Sequence, residues 1–148
     1  MKDSINFRSF EEGDYEACCN WWKWWWGEGG RDPVKRCFLP KDKRCFVIEK
    51  NGVPVACYFL FIMEPQIVAW TTYLVSNPEY KEKDRRDLIN LLIQNVEKEA
   101  ERYGIMQLFT VCGDRHMSKI HEDLGWLMSP VEQEGFKYIE NNIRKIRN

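Results

Sequence analysis

Residues 68 to 126 hold an order of elements that tightly restricts the fold. An apolar strand ends in Tyr73-Leu74-Val75-Ser76-Asn77-Pro78-Glu79-Tyr80. A charged turn, a long amphipathic segment, a second apolar strand and a short helix closing at Leu124-Gly125-Trp126 follow. The spacing of Leu88, Leu91, Leu92, Val96 and Ala100 predicts a helix over 84–103, with Gly104 as its C-terminal stop. A strand that reaches its neighbour through such a helix pairs with it in parallel. A strand is predicted over 105–112, and a parallel partner is its natural outcome.

Upstream the pattern is antiparallel. Ile5 to Phe10 alternates apolar and polar residues, as a half-buried strand does. Strands are predicted over 44–49 and 53–63, joined at Asn51-Gly52, where both positions tolerate positive φ. A second reversal at Glu64-Pro65-Gln66 leads into 67–76. The unbroken apolar run from Ala56 to Met63 predicts a strand covered on both faces. Glu11 to Trp26 reads as a helix with Tyr15, Cys18, Cys19, Trp22 and Trp26 on one side, Trp21 at the edge and Trp24 nearly opposite. Gly27 to Gly30 ends it, and residues 31–43 read as a loop or a short helix. A helix is predicted from Asp114 or Arg115 to Leu124, a last short strand from Phe136 to Ile139, and a charged tail that frays over 140–148.

With 148 residues and 44% hydrophobic side chains, the chain can bury one core and is too short for two ordinary domains. The expectation is a single α/β (α+β) domain over 1–148: a mixed, mostly antiparallel central sheet with helices on both faces. A net charge of −1 offers no global field for nucleic acid or an anionic membrane. No apolar run approaches the roughly 20 residues that span a bilayer, and Met1-Lys2-Asp3-Ser4 leads straight into a strand-like segment, so a cytoplasmic protein is expected. The six cysteines lack a Cys-x-x-Cys pair and lie in apolar segments, which favours reduced, mostly buried thiols. With only two histidines, nothing in the spacing points to a metal site.

The run over 68–126 resembles the acetyl-CoA-binding half of the Gcn5-related N-acetyltransferase (GNAT) superfamily. There a strand ending in a "Leu-Ala-Val-x-Pro-x-Tyr"-like stretch feeds a glycine-rich turn, and a later helix ends in "Tyr-x-x-Leu-Gly-Phe". The second landmark here is His121-Glu122-Asp123-Leu124-Gly125-Trp126. At the turn, the family's "Arg/Gln-x-x-Gly-x-Gly" has become Lys81-Glu82-Lys83-Asp84-Arg85-Arg86. The Trp-rich first helix, the Val75-Ser76-Asn77-Pro78 ending and the glycine-free turn also look like small GNAT-like proteins carried by tailed phages.

The resemblance implies a GNAT-like fold and acetyl-CoA, or another acyl-CoA, laid in a gap between splayed parallel strands, with the thioester carbonyl on the strand edge at Leu74, Val75 and Ser76. An acceptor amine attacks directly. The position matching the family's proton donor is His121, although its helix face also suits a core histidine bonded to a backbone carbonyl. For the base, Glu64, Asp114 and a water chain through Thr71, Thr72 or Tyr73 are the options. A Cys112–His116 dyad is a weaker alternative, with no third group evident.

Asp84 stands where the first glycine should be, and its carboxylate is expected to cap the helix N–H groups that a phosphate would need. Residues 79–87 carry Lys81, Lys83, Arg85 and Arg86 against Glu79, Glu82, Asp84 and Asp87, which cancel. Lys81, Arg85 and Arg86 either grip the pyrophosphate from the side, or the pocket has been lost, or the turn is a solvated helix start. Trp21, Trp24 and Trp25 are candidates for framing the acceptor, an amine-bearing small molecule or protein. The first expectation is an acyl-CoA-dependent N-acyltransferase. The alternative is an inactive GNAT-fold protein that binds a protein partner through the Trp-rich helix. Whether it forms a homodimer is left open.

Overall fold

Asn51 and Gly52 both lie at positive φ, 52° and 79°, and the tight reversal they make joins Cys45–Lys50 (β2) to Val53–Met63 (β3) in antiparallel register. Ile5–Ser9 (β1) pairs antiparallel on the far side of β2, and Val68–Ser76 (β4) pairs antiparallel with β3. Gln107–Thr110 (β5) then lies parallel to β4, giving the sheet order β1-β2-β3-β4-β5. The helices are Asp14–Trp26 (α1), Arg85–Arg102 (α2), Arg115–Asp123 (α3) and Glu140–Ile143 (α4). Between α1 and β2 the chain makes two short 3-10 turns, Arg36–Phe38 and Asp42–Arg44. This is a computed structural model and describes residues 2–129 and 139–143.

The sheet is covered on both faces, because β2 and β3 alternate buried side chains between two cores. Phe46, Ile48, Tyr58 and Leu60 point to one side, where α2 lays Leu88, Leu92, Ile93 and Val96 over them. Val47, Cys57 and Phe59 point to the other and meet Cys18, Trp21 and Trp22 of α1. Each such side chain contributes roughly 1.5–3 kcal/mol when fully buried. At the start of α1, the buried Asp14 carboxylate accepts the Glu11 N–H and pairs with Arg8 (2.6 Å), so no bare charge is left in the interior.

Two departures from the sequence expectations matter for the site. The last strand of the parallel pair is four residues long rather than the eight predicted over 105–112; its register runs from Val68↔Gln107 to Thr71↔Thr110 and stops. The register of β4 against β3 also shifts, from Phe59↔Thr72 to Cys57↔Val75, so β4 spends one extra residue there. Tyr73 absorbs it at φ 62°, a left-handed conformation uncommon outside glycine. The bulge changes which side of the sheet odd-numbered residues address. Ala69 belongs to the α2-side core, whereas Tyr73 and Val75 join the α1-side core. Of the strand expected over 136–139 and the tail over 140–148, residues 136–138 and 144–148 lie outside the described residues.

Candidate active site

Past Thr71, β4 continues for five residues without a described partner on its β5 side. The backbone there divides its groups by alternation. The Asn77 N–H donates to the Val55 carbonyl (2.7 Å), so Val75, two residues earlier, also addresses β3. The backbone groups of Leu74 and Ser76 therefore face the gap. In agreement, the Ser76 carbonyl accepts a hydrogen bond from Trp25 Nε1 of α1 (2.7 Å). The expected edge of Leu74, Val75 and Ser76 is thus resolved into two residues facing the gap and one held in the sheet. All three line a cavity of about 690 Å³ that fills the gap.

At the mouth of this cavity the cancelling charges of the turn separate in space. Lys83, Arg85 and Arg86 line the cavity; Lys81 does not, and neither does any carboxylate of the turn. Asp84 occupies the position before α2 but makes no side-chain cap. That corrects the expectation that its carboxylate would block the helix start. It instead pairs with Lys50 (2.5 Å) and accepts the Tyr80 hydroxyl (2.7 Å), and these two hold its pKa below the ordinary 3.8. The first turn of α2 is left with backbone N–H groups that no side chain caps.

Arg85 is half-buried, donates from Nη2 to Ser76 Oγ (2.6 Å), and lies with its guanidinium 5.1 Å from the Trp25 ring centre. No carboxylate reaches it among the described residues, and burial lowers its pKa while leaving it fully charged at neutral pH. Arg86, by contrast, pairs with Asp123 (2.5 Å).

The tryptophans of α1 split by face. Trp22, Trp25 and Trp26 form one wall of the cavity together with Arg31, whose guanidinium lies over the Trp26 and Tyr73 rings at 5.5 and 5.3 Å. Of the three expected at the acceptor, only Trp25 is in the lining. Trp21 is turned into the α1-side core, and Trp24 is 62% exposed on the opposite face of the helix. Trp22 and Trp26 were assigned to packing from the helical wheel, which cannot tell a core neighbour from a cavity wall.

On the other side of the gap, His121 is 1% exposed. Its Nδ1 is 2.8 Å from the Met117 carbonyl, and its Nε2 is 2.9 Å from the Tyr58 hydroxyl. Burial lowers its pKa below 6.5, with the Met117 carbonyl opposing the shift. This is the core histidine bonded to a backbone carbonyl, and it also borders the cavity. Cys112 has His121 as its neighbour (Sγ to Nδ1, 3.5 Å) rather than His116, and burial pushes its thiol up to about 11, so the weaker alternative, a Cys112–His116 dyad, does not form.

Of the base candidates, Glu64 sits exposed at the reversal before β4 and does not border the cavity. Asp114 does, but its Oδ1 caps α3 by accepting the Met117 N–H (2.8 Å). Tyr58 and Thr110, which the sequence expectations did not include, are cavity residues too. A tyrosine inside an apolar strand carries no sign of function in sequence.

No protein-family model and no curated protein matches the sequence. Solved structures match its fold. The N-acetylglutamate synthase of Neisseria gonorrhoeae, complexed with coenzyme A and L-arginine, superimposes with a TM-score of 0.67 at 13% identity over 85% of this chain, which spans 28% of that one. A GCN5-related N-acetyltransferase from Ralstonia eutropha JMP134 gives 0.65 at 18% identity, over 90% of this chain and 99% of that one. An aminoglycoside N-acetyltransferase, AAC(6')-Iy, in complex with CoA gives 0.63 at 14% identity, over 93% and 97%. The chain has the GNAT fold.

Proposed function

We propose that this GNAT-fold protein is an acyl-CoA-dependent N-acyltransferase that moves an acetyl or other acyl group to an amine. The observation that carries the proposal is the gap beside Leu74 and Ser76, whose gap-facing backbone ends at a cluster of Lys83, Arg85 and Arg86. A pantetheine arm needs backbone partners along an extended path; the Leu74 groups and the Ser76 N–H supply them, the Ser76 carbonyl being taken by Trp25 Nε1. A pyrophosphate needs cations, and neither Arg85 nor Lys83 pairs with a carboxylate among the described residues, whereas Arg86 pairs with Asp123. The cavity volume of about 690 Å³ falls within the range usual for small-molecule sites. That several GNAT-fold structures hold coenzyme A supports the same ligand here.

In this assignment Arg85 and the uncapped first turn of α2 hold the phosphates, with Lys83 and Arg86 beside them. Lys81, outside the lining, has no contact role. The acyl-CoA supplies the activated acyl group. Trp22, Trp25 and Trp26 form the wall against which an amine-bearing small molecule or a protein amine is placed. Trp25 also fixes the mouth of the gap through Ser76 and Arg85.

Thermal unfolding with acetyl-CoA tests the proposal. At about 100 times its dissociation constant, a ligand of the native state adds about 2.7 kcal/mol, a shift of several degrees for a domain of this size. Arg85→Met should weaken the binding roughly tenfold or more, the scale of a charge-assisted hydrogen bond. No shift at millimolar acetyl-CoA, or an unchanged affinity in Arg85→Met, defeats it.

A further inference from the structure

A file of hydrogen bonds runs from the cavity into the core. Thr110 Oγ1, at the end of β5, is 2.8 Å from the Tyr58 hydroxyl, which is 2.9 Å from His121 Nε2. His121 Nδ1 closes the file on the Met117 carbonyl at 2.8 Å. A carbonyl only accepts, so Nδ1 carries the ring proton, and in the neutral ring Nε2 offers a lone pair. Tyr58 then donates to His121, and its oxygen is open to the Thr110 hydroxyl. Thr110 occupies the last register position of the parallel pair, where the gap opens.

We propose that Thr110, Tyr58 and His121 form a proton relay serving the acyl transfer, with His121 as its resting acceptor. The inference rests on the acyltransferase reading. When the C–N bond forms and the C–S bond breaks, the amine nitrogen loses one proton and the departing sulfur gains one. Thr110 touches the reacting atoms: it passes the nitrogen's proton to Tyr58, which passes one to His121 Nε2. The return of a proton along the same path to the sulfur leaves the relay as it began, and no outside acid or base is consumed. Tyr58 and His121 act through Thr110 and are positioning residues in this sense.

The surroundings favour acceptance at rest. Burial holds His121 neutral, and the Met117 carbonyl steadies the imidazolium once a proton arrives. Cys112, from the connection after β5, faces Nδ1 as a neutral thiol. Tyr58, from β3, has its phenol pushed well up, chiefly by burial, and so does not ionise. On α2, Glu97 accepts the Trp126 indole N–H (2.8 Å), while the Trp126 ring stands edge-on to the imidazole, and Arg85 and Arg86 share the cavity lining with His121. Asp114 on the α3 side is engaged in its cap. The role that sequence resemblance gives His121, a proton donor in direct contact, becomes that of an acceptor at one remove.

Thr110→Val keeps the shape and removes the hydroxyl, Thr110→Ser restores it, and Tyr58→Phe cuts the middle of the file. With acetyl-CoA and a panel of primary amines, Thr110→Val and Tyr58→Phe should lower thiol release at least tenfold while CoA affinity by calorimetry changes by less than about twofold. Thr110→Ser should recover most of the rate. The acid limb of the wild-type pH profile should lie below the usual histidine value and vanish in Thr110→Val. Equal release by all four proteins, with CoA still bound, overturns the relay and leaves CoA binding standing, whereas loss of CoA binding in the wild type overturns the acyltransferase reading itself. Nitrogen NMR of labelled histidine, with His116→Gln to separate the two rings, needs no acceptor. A neutral Nδ1–H ring for His121 at pH 7 is expected, and an Nε2–H ring or an imidazolium there overturns the relay.

Discussion

Asp84 shows how little a residue's identity says about its role until its partner is known. As a carboxylate before a helix it reads as a cap, yet Lys50 from the end of β2 draws it away from the α2 N–H groups. Its pKa lies below 3.8, first through Lys50 and then through Tyr80. The folded state therefore binds a proton less readily than the unfolded chain. The stabilisation is present above the unfolded value, near pH 4, and is lost as pH falls through the folded one. Asp84→Asn should unfold at a lower temperature than wild type at pH 7, with the two melting temperatures converging as pH falls through the folded-state pKa of Asp84. A gap that does not narrow in acid means that the effect is not the charge. Acetyl-CoA affinity should not tighten in Asp84→Gly, since the carboxylate does not occupy the helix start.

At the scale of elements, α1 separates five tryptophans by their angle around one helix. Trp22 is 1% exposed, between Phe59, Trp26 and Tyr73, and Trp24 is 62% exposed. Trp22→Ala should cost about 3–5 kcal/mol in denaturant unfolding, the range for removing a large buried aromatic. Trp24→Ala should stay within about 0.5 kcal/mol of wild type. A large loss at Trp24 would mean that its face is covered in solution. The helix wheel places Trp24 correctly and leaves Trp21 at the edge, which the core then claims. The hairpin at Asn51-Gly52 and helix α2 were equally legible, because positive φ and a 3.6-residue period are local demands. The bulge at Tyr73 was not, since a tyrosine in an apolar run carries no mark of the left-handed conformation that the register imposes on it.

For the molecule as a whole, the decisive quantity is how charge is distributed around one cavity. A net charge of −1 coexists with a lining that holds Arg31, Lys83, Arg85 and Arg86 and, among the described residues, one carboxylate, Asp114. Coenzyme A affinity should therefore fall several-fold as sodium chloride is raised from about 20 to about 500 mM, over which the screening length shrinks severalfold. Pantetheine, without phosphates, should show no such dependence by calorimetry. Salt-insensitive coenzyme A binding would place the phosphates away from this mouth.

From the amino-acid order alone come the element sequence and the preference of the strand after α2 for a parallel partner, which follow from period, turn chemistry and crossover geometry, all short-range properties of the chain. The place of that strand beside the meander and of the gap near Val75 came from the resemblance to the GNAT superfamily. Tertiary structure alone decided that the parallel pair parts after Thr71, that the turn's cations face the cavity while Asp84 turns to Lys50, and that Tyr58 from β3 meets His121 from α3. The last two rest on side-chain contacts between residues 34 and 63 positions apart in sequence. Only packing brings such distant groups within hydrogen-bond range.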